Sequence, residues 1–528
     1  MKKIVFLLFI HICVVNQISF AQDAVIDKII EINRTDNRVM RHLDILTNRF
    51  GGRPVGSPAF EDASKWVIRE FESWGLEVSI EEAGSVPVGF NRGPWFGRML
   101  SDNGMILHFA TPSYTSGTKG LQRGHVLIEP KTQDEFNRIK GKLKGAWVLI
   151  SGKNIGYPID RTPTADSIRA EIKAENEKIA QENRELARRN WTNGEKNEMK
   201  PYKEFPGLYY NEMCEAGALG FIQSSAVPIT ALYDRKMMDI EAMHFDNLPE
   251  QPDIKLDEHQ FAIIEQMVKE RREFLLEFDI RNHFRIGPIK YHNIVASING
   301  SEYPDEYVIV SGHLDSYDVA TGGVDCGTGI GPMMEAARML SVAGAKPKRT
   351  ILFVAFAAEE FGLLGAKSFA KTHADMLPKI SNLFNRDGGP TPPVGIAVPP
   401  AMYDDFVKIC EPLKCINPDY PFEVKKQERP NRRPKVPSSH DGSVFAVEGV
   451  PIFNFTTQDI KGYDFSYGEI WHTERDLYTK NPPKYQEHTA TCIAITALGV
   501  ANLDHQLSRE GAYLEEQSAK AKNTKKKK

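Results

Sequence analysis

VIVSGHLDSYDVATGGVDCGTGIG, from Val308 to Gly331, is the stretch that decides the fold. The apolar run Tyr307 to Val310 reads as a strand. It ends in Ser311-Gly312 and then delivers His313 and Asp315, two residues apart. Asp325 follows in a glycine-rich turn, and the segment at about Ile330–Leu340 reads as a helix. The pattern repeats downstream. RTILFVAFA (Arg349–Ala357) is a second strand, followed by Glu359-Glu360 and a helix at about Leu363–Thr372. SNLFN (Ser381–Asn385) is a third, followed by Asp387, and VPIFNF (Val450–Phe455) a fourth. Strands alternating with helices predict an α/β fold, a mixed, largely parallel sheet flanked by helices. In such sheets ligands bind at the carboxyl ends of the strands.

Three strand ends therefore carry carboxylates, and one adds a histidine. Taken singly, each has a bland reading. A Glu-Glu pair is usually a solvated helix start, and Asp387 before two glycines suits an Asx turn. Together they fall on one edge of one sheet. Carboxylates crowded there repel one another, and burial raises the cost, unless a cation joins them. GEIWHTERD (Gly468–Asp476) offers His472 as a further donor beside aromatic residues. Histidine with Asp and Glu, and no Cys, suits Zn²⁺, with Mn²⁺ or Co²⁺ as alternatives.

In order and spacing these residues resemble the co-catalytic zinc peptidases of the M28 type, the class containing bacterial aminopeptidases and carboxypeptidase Q. That pattern runs H-x-D, a bridging Asp in a Gly/Ser turn, E-E, a lone Asp and a late His-Thr. Here it reads His313-Leu314-Asp315, Asp325, Glu359-Glu360, Asp387 and His472-Thr473. GGRPVGSPAF (Gly51–Phe60) with its following helix and YHNIVASING (Tyr291–Gly300) share the resemblance. It implies a zinc-exopeptidase type of fold and two Zn²⁺ per chain. His313 and Asp387 would hold one ion, Glu360 and His472 the other, and Asp325 would bridge them. Asp315 would orient His313 through its second nitrogen. A water shared by the ions would attack the scissile carbonyl, with Glu359 taking its proton and returning it to the leaving amine. The implied partner is a peptide substrate, cut at a chain end or as a dipeptide. Two alternatives are a one-zinc glutaminyl cyclase of the same fold and a non-catalytic binding ectodomain, which would have lost ligands. One departure stands out. SSHDGSVFAVEGVP (Ser438–Pro451) keeps Asp441 but has Gly442 where many members carry a histidine, with His440 on the other side of Asp441.

From about Thr111 short β-rich runs replace this pattern, and residues 111–285 read as an inserted domain that interrupts the catalytic one, 22–110 and 286–510. KGAWVLISG (Lys144–Gly152) and EAGALGFIQSS (Glu215–Ser225) resemble a protease-associated domain. Within it, ADSIRAEIKAENEKIAQENRELARRN (Ala165–Asn190) is an almost wholly polar helix, expected as a solvated arm. Residues 1–21 carry Lys2 and Lys3, an apolar run from Ile4 to Val15 and Ser19-Phe20-Ala21, the marks of a cleavable signal peptide. An extracytoplasmic location, with no stable membrane insertion, is the expectation. The formal net charge of −4 argues against nucleic acid as a partner. The Lys-rich end, 511–528, is expected to be a solvated tail. Five of the six cysteines lie beyond residue 21, and Cys410 and Cys415 are near enough in sequence for a local disulfide.

Overall fold

The computed structural model describes residues 24–101, 104–233 and 243–514. The expected signal peptide and the end from Glu515 onwards lie outside the described residues. Helix α1 (Pro58–Ser73) starts where Ser57 accepts a hydrogen bond from the backbone N–H of Phe60 and Pro58 fills the first turn. Its apolar positions Phe60, Ala63, Trp66, Val67 and Phe71 are buried as one face. The chain then forms β1 (Glu77–Asn91) and leaves this layer.

Seven strands follow: β2 (Trp95–Met99), β3 (Phe109–Ala110), β4 (Gln122–Ile128), β5 (Ala146–Asn154), β6 (Gly220–Ser225), β7 (Asp253–Asp257) and β8 (Leu276–Ile280). They make a sheet of their own, in the order β2-β8-β4-β5-β6-β7-β3, parallel from β4 to β7. It draws on residues from Trp95 onwards, ahead of the shift in composition at Thr111. Strand β9 (His283–Ile298) then returns to the first layer and pairs antiparallel with β1, Asn91 opposite His283. The two connections to the second sheet thus lie side by side.

The polar segment is helix α2 (Pro163–Asn193). It is no bare arm. Asn176, Asn183 and Asn190 recur every seven residues, and each exchanges two hydrogen bonds with the backbone of one residue on the returning chain. Their partners are Lys203, Lys200 and Asn197, at 2.8–2.9 Å. Seven helical residues rise about 10 Å, and three extended residues span nearly the same length, so the two repeats stay in step.

The first layer resumes with β10 (Tyr303–His313), α3 (Gly327–Val342), β11 (Arg349–Phe356), α4 (Leu364–Thr372) and β12 (Ile380–Asn385). The sheet order is β1-β9-β11-β10-β12. The parallel part is confined to β11, β10 and β12, and β9 joins β11 antiparallel. VPIFNF does not join this sheet. Phe455–Thr457 (β15) instead flanks β13 (Pro393–Val398), opposite β14 (Glu423–Lys426), in a small sheet. All eight residues of β11 are buried, and their alternation divides the core in two. Ile351, Phe353 and Ala355 face the layer holding Met333, Met334 and Ile493. Leu352, Val354 and Phe356 face Ala366, Phe369 and Phe445. Truncating such a side chain to alanine costs roughly 2–5 kcal/mol. That rigidity is what holds the carboxyl ends of β10, β11 and β12 in place. Among the described residues no helix is long and apolar enough to cross a membrane. The five cysteines are free, with Cys410 buried and Cys415 exposed, so the local disulfide does not form.

Candidate metal centre

Each donor arrives at the carboxyl end of a strand or on a loop packed over it. His313 closes β10, beside Phe356 of β11, and Ser311 stands beside Asn385 of β12. Asp325 precedes α3, Glu359 and Glu360 follow β11, and Asp387 follows β12. His472 comes from a loop after a short helix, in a left-handed backbone conformation with φ 59°.

The two oxygens of Asp325 divide between the two histidines. Oδ1 lies 3.1 Å from Nε2 of His313, and Oδ2 lies 3.3 Å from Nε2 of His472. Asp387 approaches the same nitrogen of His313 at 3.7 Å, and Glu360 approaches His472 at 3.2 Å. A donor atom from each of His313, Asp325 and Glu360 lies within 4.8 Å of the others. All five residues predicted as metal donors are therefore in one cluster.

Asp315 differs from expectation. Its carboxylate accepts the backbone N–H groups of Glu359 (3.1 Å) and Glu360 (3.2 Å), and its Oδ1 is 3.9 Å from His313 Nδ1. That nitrogen sits 3.0 Å from the backbone carbonyl of Asp315 instead. A carbonyl only accepts, so Nδ1 carries the proton and Nε2 presents its lone pair to the cluster. Asp315 thus sets the tautomer through its main chain and builds the Glu-Glu turn through its side chain. The turn also needs Ala358 at φ 56°, a strained position of the kind found at functional sites.

The electrostatics fit a cation. Among the described residues no lysine or arginine pairs with Asp325, Glu360 or Asp387, and Oε1 of Glu360 is buried with no hydrogen-bond partner. Burial and repulsion from Asp325 push Glu360 up to about 7, against the pull of His472. Burial opposes protonation of His472, yet Glu360 and Asp325 raise it to about 9. Glu359 is raised well above the usual carboxylate range by burial and, less the opposing pull of His313, by Asp387, Glu360 and Asp441. The shifts show a cluster that lacks positive charge of its own. The donor set of imidazole nitrogens and carboxylate oxygens suits zinc.

Several residues escaped the reading of the sequence. Arg53, in the GGRP stretch, is fully buried and donates to the carbonyls of Leu314, Thr321 and Gly51 at 2.8–2.9 Å. It ties the first loop to the segment joining His313 and Asp325. Asp476 accepts the backbone N–H groups of Val324 (2.6 Å) and Asp325 (3.3 Å) and so orients the bridging carboxylate. Burial and repulsion from Asp325 push Asp476 up to about 8. The Tyr233 hydroxyl donates to the carbonyl of Glu360. Cys326 brings sulfur into a cluster expected to have none, with its Sγ, His313 and Asp387 mutually within 4.8 Å. At the departure, a Cβ on Gly442 would stand 3.0 Å from Nδ1 of His440. The His440 ring fills the space that a larger residue at 442 would take. Arg433, in the Asn431–Pro434 loop, donates to the carbonyl of Val447, 2.9 Å away.

Sheet order and flanking helices define a mixed α/β fold with the candidate cluster at its strand ends. Residues 293–496 match the sequence model of Peptidase family M28. Carboxypeptidase Q of Mus musculus is 33% identical over 220 residues, 41% of this chain and 43% of the relative. A probable zinc metalloprotease of Pyrenophora tritici-repentis is 40% identical over 110 residues, 19% of this chain and 25% of the relative. The match thus spans less than half the length of these curated relatives. Among solved structures, a Peptidase M28 precursor from Shewanella amazonensis SB2B superposes with a TM-score of 0.56 at 21% identity, over 93% of this chain and 98% of that one. Residues 293–496 are thus similar to peptidase family M28.

Proposed function

We propose that the protein is an extracytoplasmic zinc metallo-exopeptidase holding two zinc ions. The observation that carries this reading is the division of the Asp325 oxygens between His313 and His472, with Asp387 beside the first and Glu360 beside the second. His313 and Asp387 would hold one ion, Glu360 and His472 the other, and Asp325 would serve both. When bound, zinc supplies Lewis-acid polarisation of the peptide carbonyl and a nucleophile at neutral pH.

The chain's own residues supply the rest. Glu359 accepts the proton of the attacking water at its carboxylate and delivers it to the leaving nitrogen. Asp315 grips the N–H groups of both glutamates, so Glu359 and Glu360 keep separate directions and separate tasks. Tyr233 adds a grip on the Glu360 carbonyl from the part of the chain that builds the second sheet. That same part meets the His472 loop through the Thr230–Thr473 bridge and the 2.9 Å hydrogen bond from Glu474 N–H to the Ile229 carbonyl. The second sheet thus rests on the loop of a metal donor, and a substrate site at such a junction would favour chain ends over internal bonds.

The test is a peptide series on zinc-loaded protein, with free, N-blocked and C-amidated ends. Stepwise loss of residues from one end, abolished by blocking that end, is the expected result. Cleavage confined to internal bonds of doubly blocked peptides, or no cleavage by protein carrying two zinc ions, overturns it.

A further inference from the structure

Cys326 lies in the donor cluster without a part in the reading above. It follows Asp325 directly and is fully buried. Its Sγ, a ring nitrogen of His313 and an oxygen of Asp387 lie within 4.8 Å of one another. Donors sharing one ion at about 2.0–2.3 Å stand at most about 4.6 Å apart, so this triad is spaced for a single cation with little adjustment. Two further features bear on the sulfur. Cys326 is the residue at the N-terminus of α3, a helix of 16 residues. Gly329 gives it room, since a Cβ there would lie 2.3 Å from Sγ and 2.3 Å from the Arg386 carbonyl oxygen.

We propose that Cys326 Sγ is a ligand, with His313 and Asp387, to the ion on that side of the centre, and that it makes this position selective for thiophilic ions. The proposal rests on the metal centre of the preceding section. The thiol donates to the Arg386 carbonyl at 3.1 Å, which places the sulfur one residue from Asp387. On coordination the thiol releases its proton to solvent, and the sulfur lone pair goes to the metal. A nitrogen, oxygen and sulfur set prefers Zn²⁺, Co²⁺ or Cd²⁺ to Mn²⁺ or Mg²⁺. The Glu360–His472 side, with no sulfur in its set, lacks that preference. The two positions would therefore differ in which ions they accept.

Cobalt-loaded protein is the test. Wild type should show an intense near-ultraviolet thiolate-to-cobalt charge-transfer band as well as visible ligand-field bands. Cys326→Ser should lose the charge-transfer band, keep ligand-field bands from the other position, and bind one zinc at least tenfold more weakly in equilibrium dialysis. Cys415→Ser, which removes the exposed thiol, should keep the band. Zinc X-ray absorption of wild type needs no variant to fold, and should report a sulfur neighbour at about 2.3 Å. Cobalt bound with ligand-field bands alone, or a zinc shell of nitrogen and oxygen only, overturns the sulfur ligand and leaves the metal centre standing. Protein that binds neither ion overturns both.

Discussion

Glu359 and Glu360 are adjacent in sequence and differ in environment. Glu360 faces His472 at 3.2 Å, whereas the Glu359 carboxyl has its proton affinity raised first by burial and then by Asp387, Glu360 and Asp441, against the pull of His313. On the proposed reading, that difference would separate a metal donor from a proton carrier. Replacing Glu359 by Gln keeps the shape and both backbone hydrogen bonds to Asp315 while removing the carrier. Turnover is expected to fall about 10²–10⁴-fold, the usual contribution of a general acid–base group. Zinc content and thermal stability should stay at the wild-type level, by metal analysis and melting curves. Near-normal kcat in a variant with full zinc would show that another group moves the proton. At this scale the strand-end donors were legible because an apolar run followed by an acid is a local pattern. Cys326 was not, since its relation to Asp387, 61 residues later, exists only once β10 and β12 lie side by side. Asp315 was expected to meet His313 through its carboxylate, whereas its main-chain carbonyl does so, because main-chain partners leave no mark on side-chain spacing.

Elements were legible where periodicity is strong. The apolar run in Arg349–Phe356 read as a strand, and the structure buries all eight residues. Strand direction was less so, because a central strand reads the same whichever way its neighbour runs, and β9 proves antiparallel to β11. Helix α2 has the opposite lesson. Its polarity suggested a solvated arm, yet the asparagines at 176, 183 and 190 fasten a returning segment that has almost no apolar signal of its own. Asn183→Ala deletes the middle pair of bonds, to both N–H and carbonyl of Lys200. Each such bond is worth about 0.5–1.5 kcal/mol net. Backbone amides around Lys200 should therefore exchange about 5–30-fold faster, the factor for 1–2 kcal/mol, while the global melting temperature stays put. Unchanged exchange there would mean the ladder does not hold the segment.

Over the whole molecule, the core of the first layer surrounds a cluster of carboxylates and histidines whose crowding a bound cation would relieve. Zinc binding to the folded chain alone should stabilise it by about 2.7 kcal/mol per site at a hundredfold excess over Kd. Asp325→Asn, which weakens the donor set shared by both histidines, should lose most of that gain in a thermal-shift titration. An equal zinc response in wild type and variant would place the bound zinc elsewhere. The two sheets are coupled through His108, which bridges Asp257 of the second sheet at 3.2 Å and Glu474, two residues past His472, at 2.7 Å. Burial lowers the proton affinity of His108, but these two carboxylates outweigh it and raise its pKa above the ordinary 6.5. The charged bridge therefore stabilises fully below the unfolded value of 6.5 and fades as pH rises through the higher folded value. Its side chain is 42% exposed, so solvent screens it, and about 0.2–1 kcal/mol is the scale for such a pair. His108→Gln cannot carry the charge. The stability of wild type over this variant should be largest below pH 6.5 and shrink as pH rises above that, as an imidazole-based switch requires. Melting curves of both proteins across that range decide the matter. A gap that stays constant or widens with pH would mean that His108 joins the sheets by packing, without the charge.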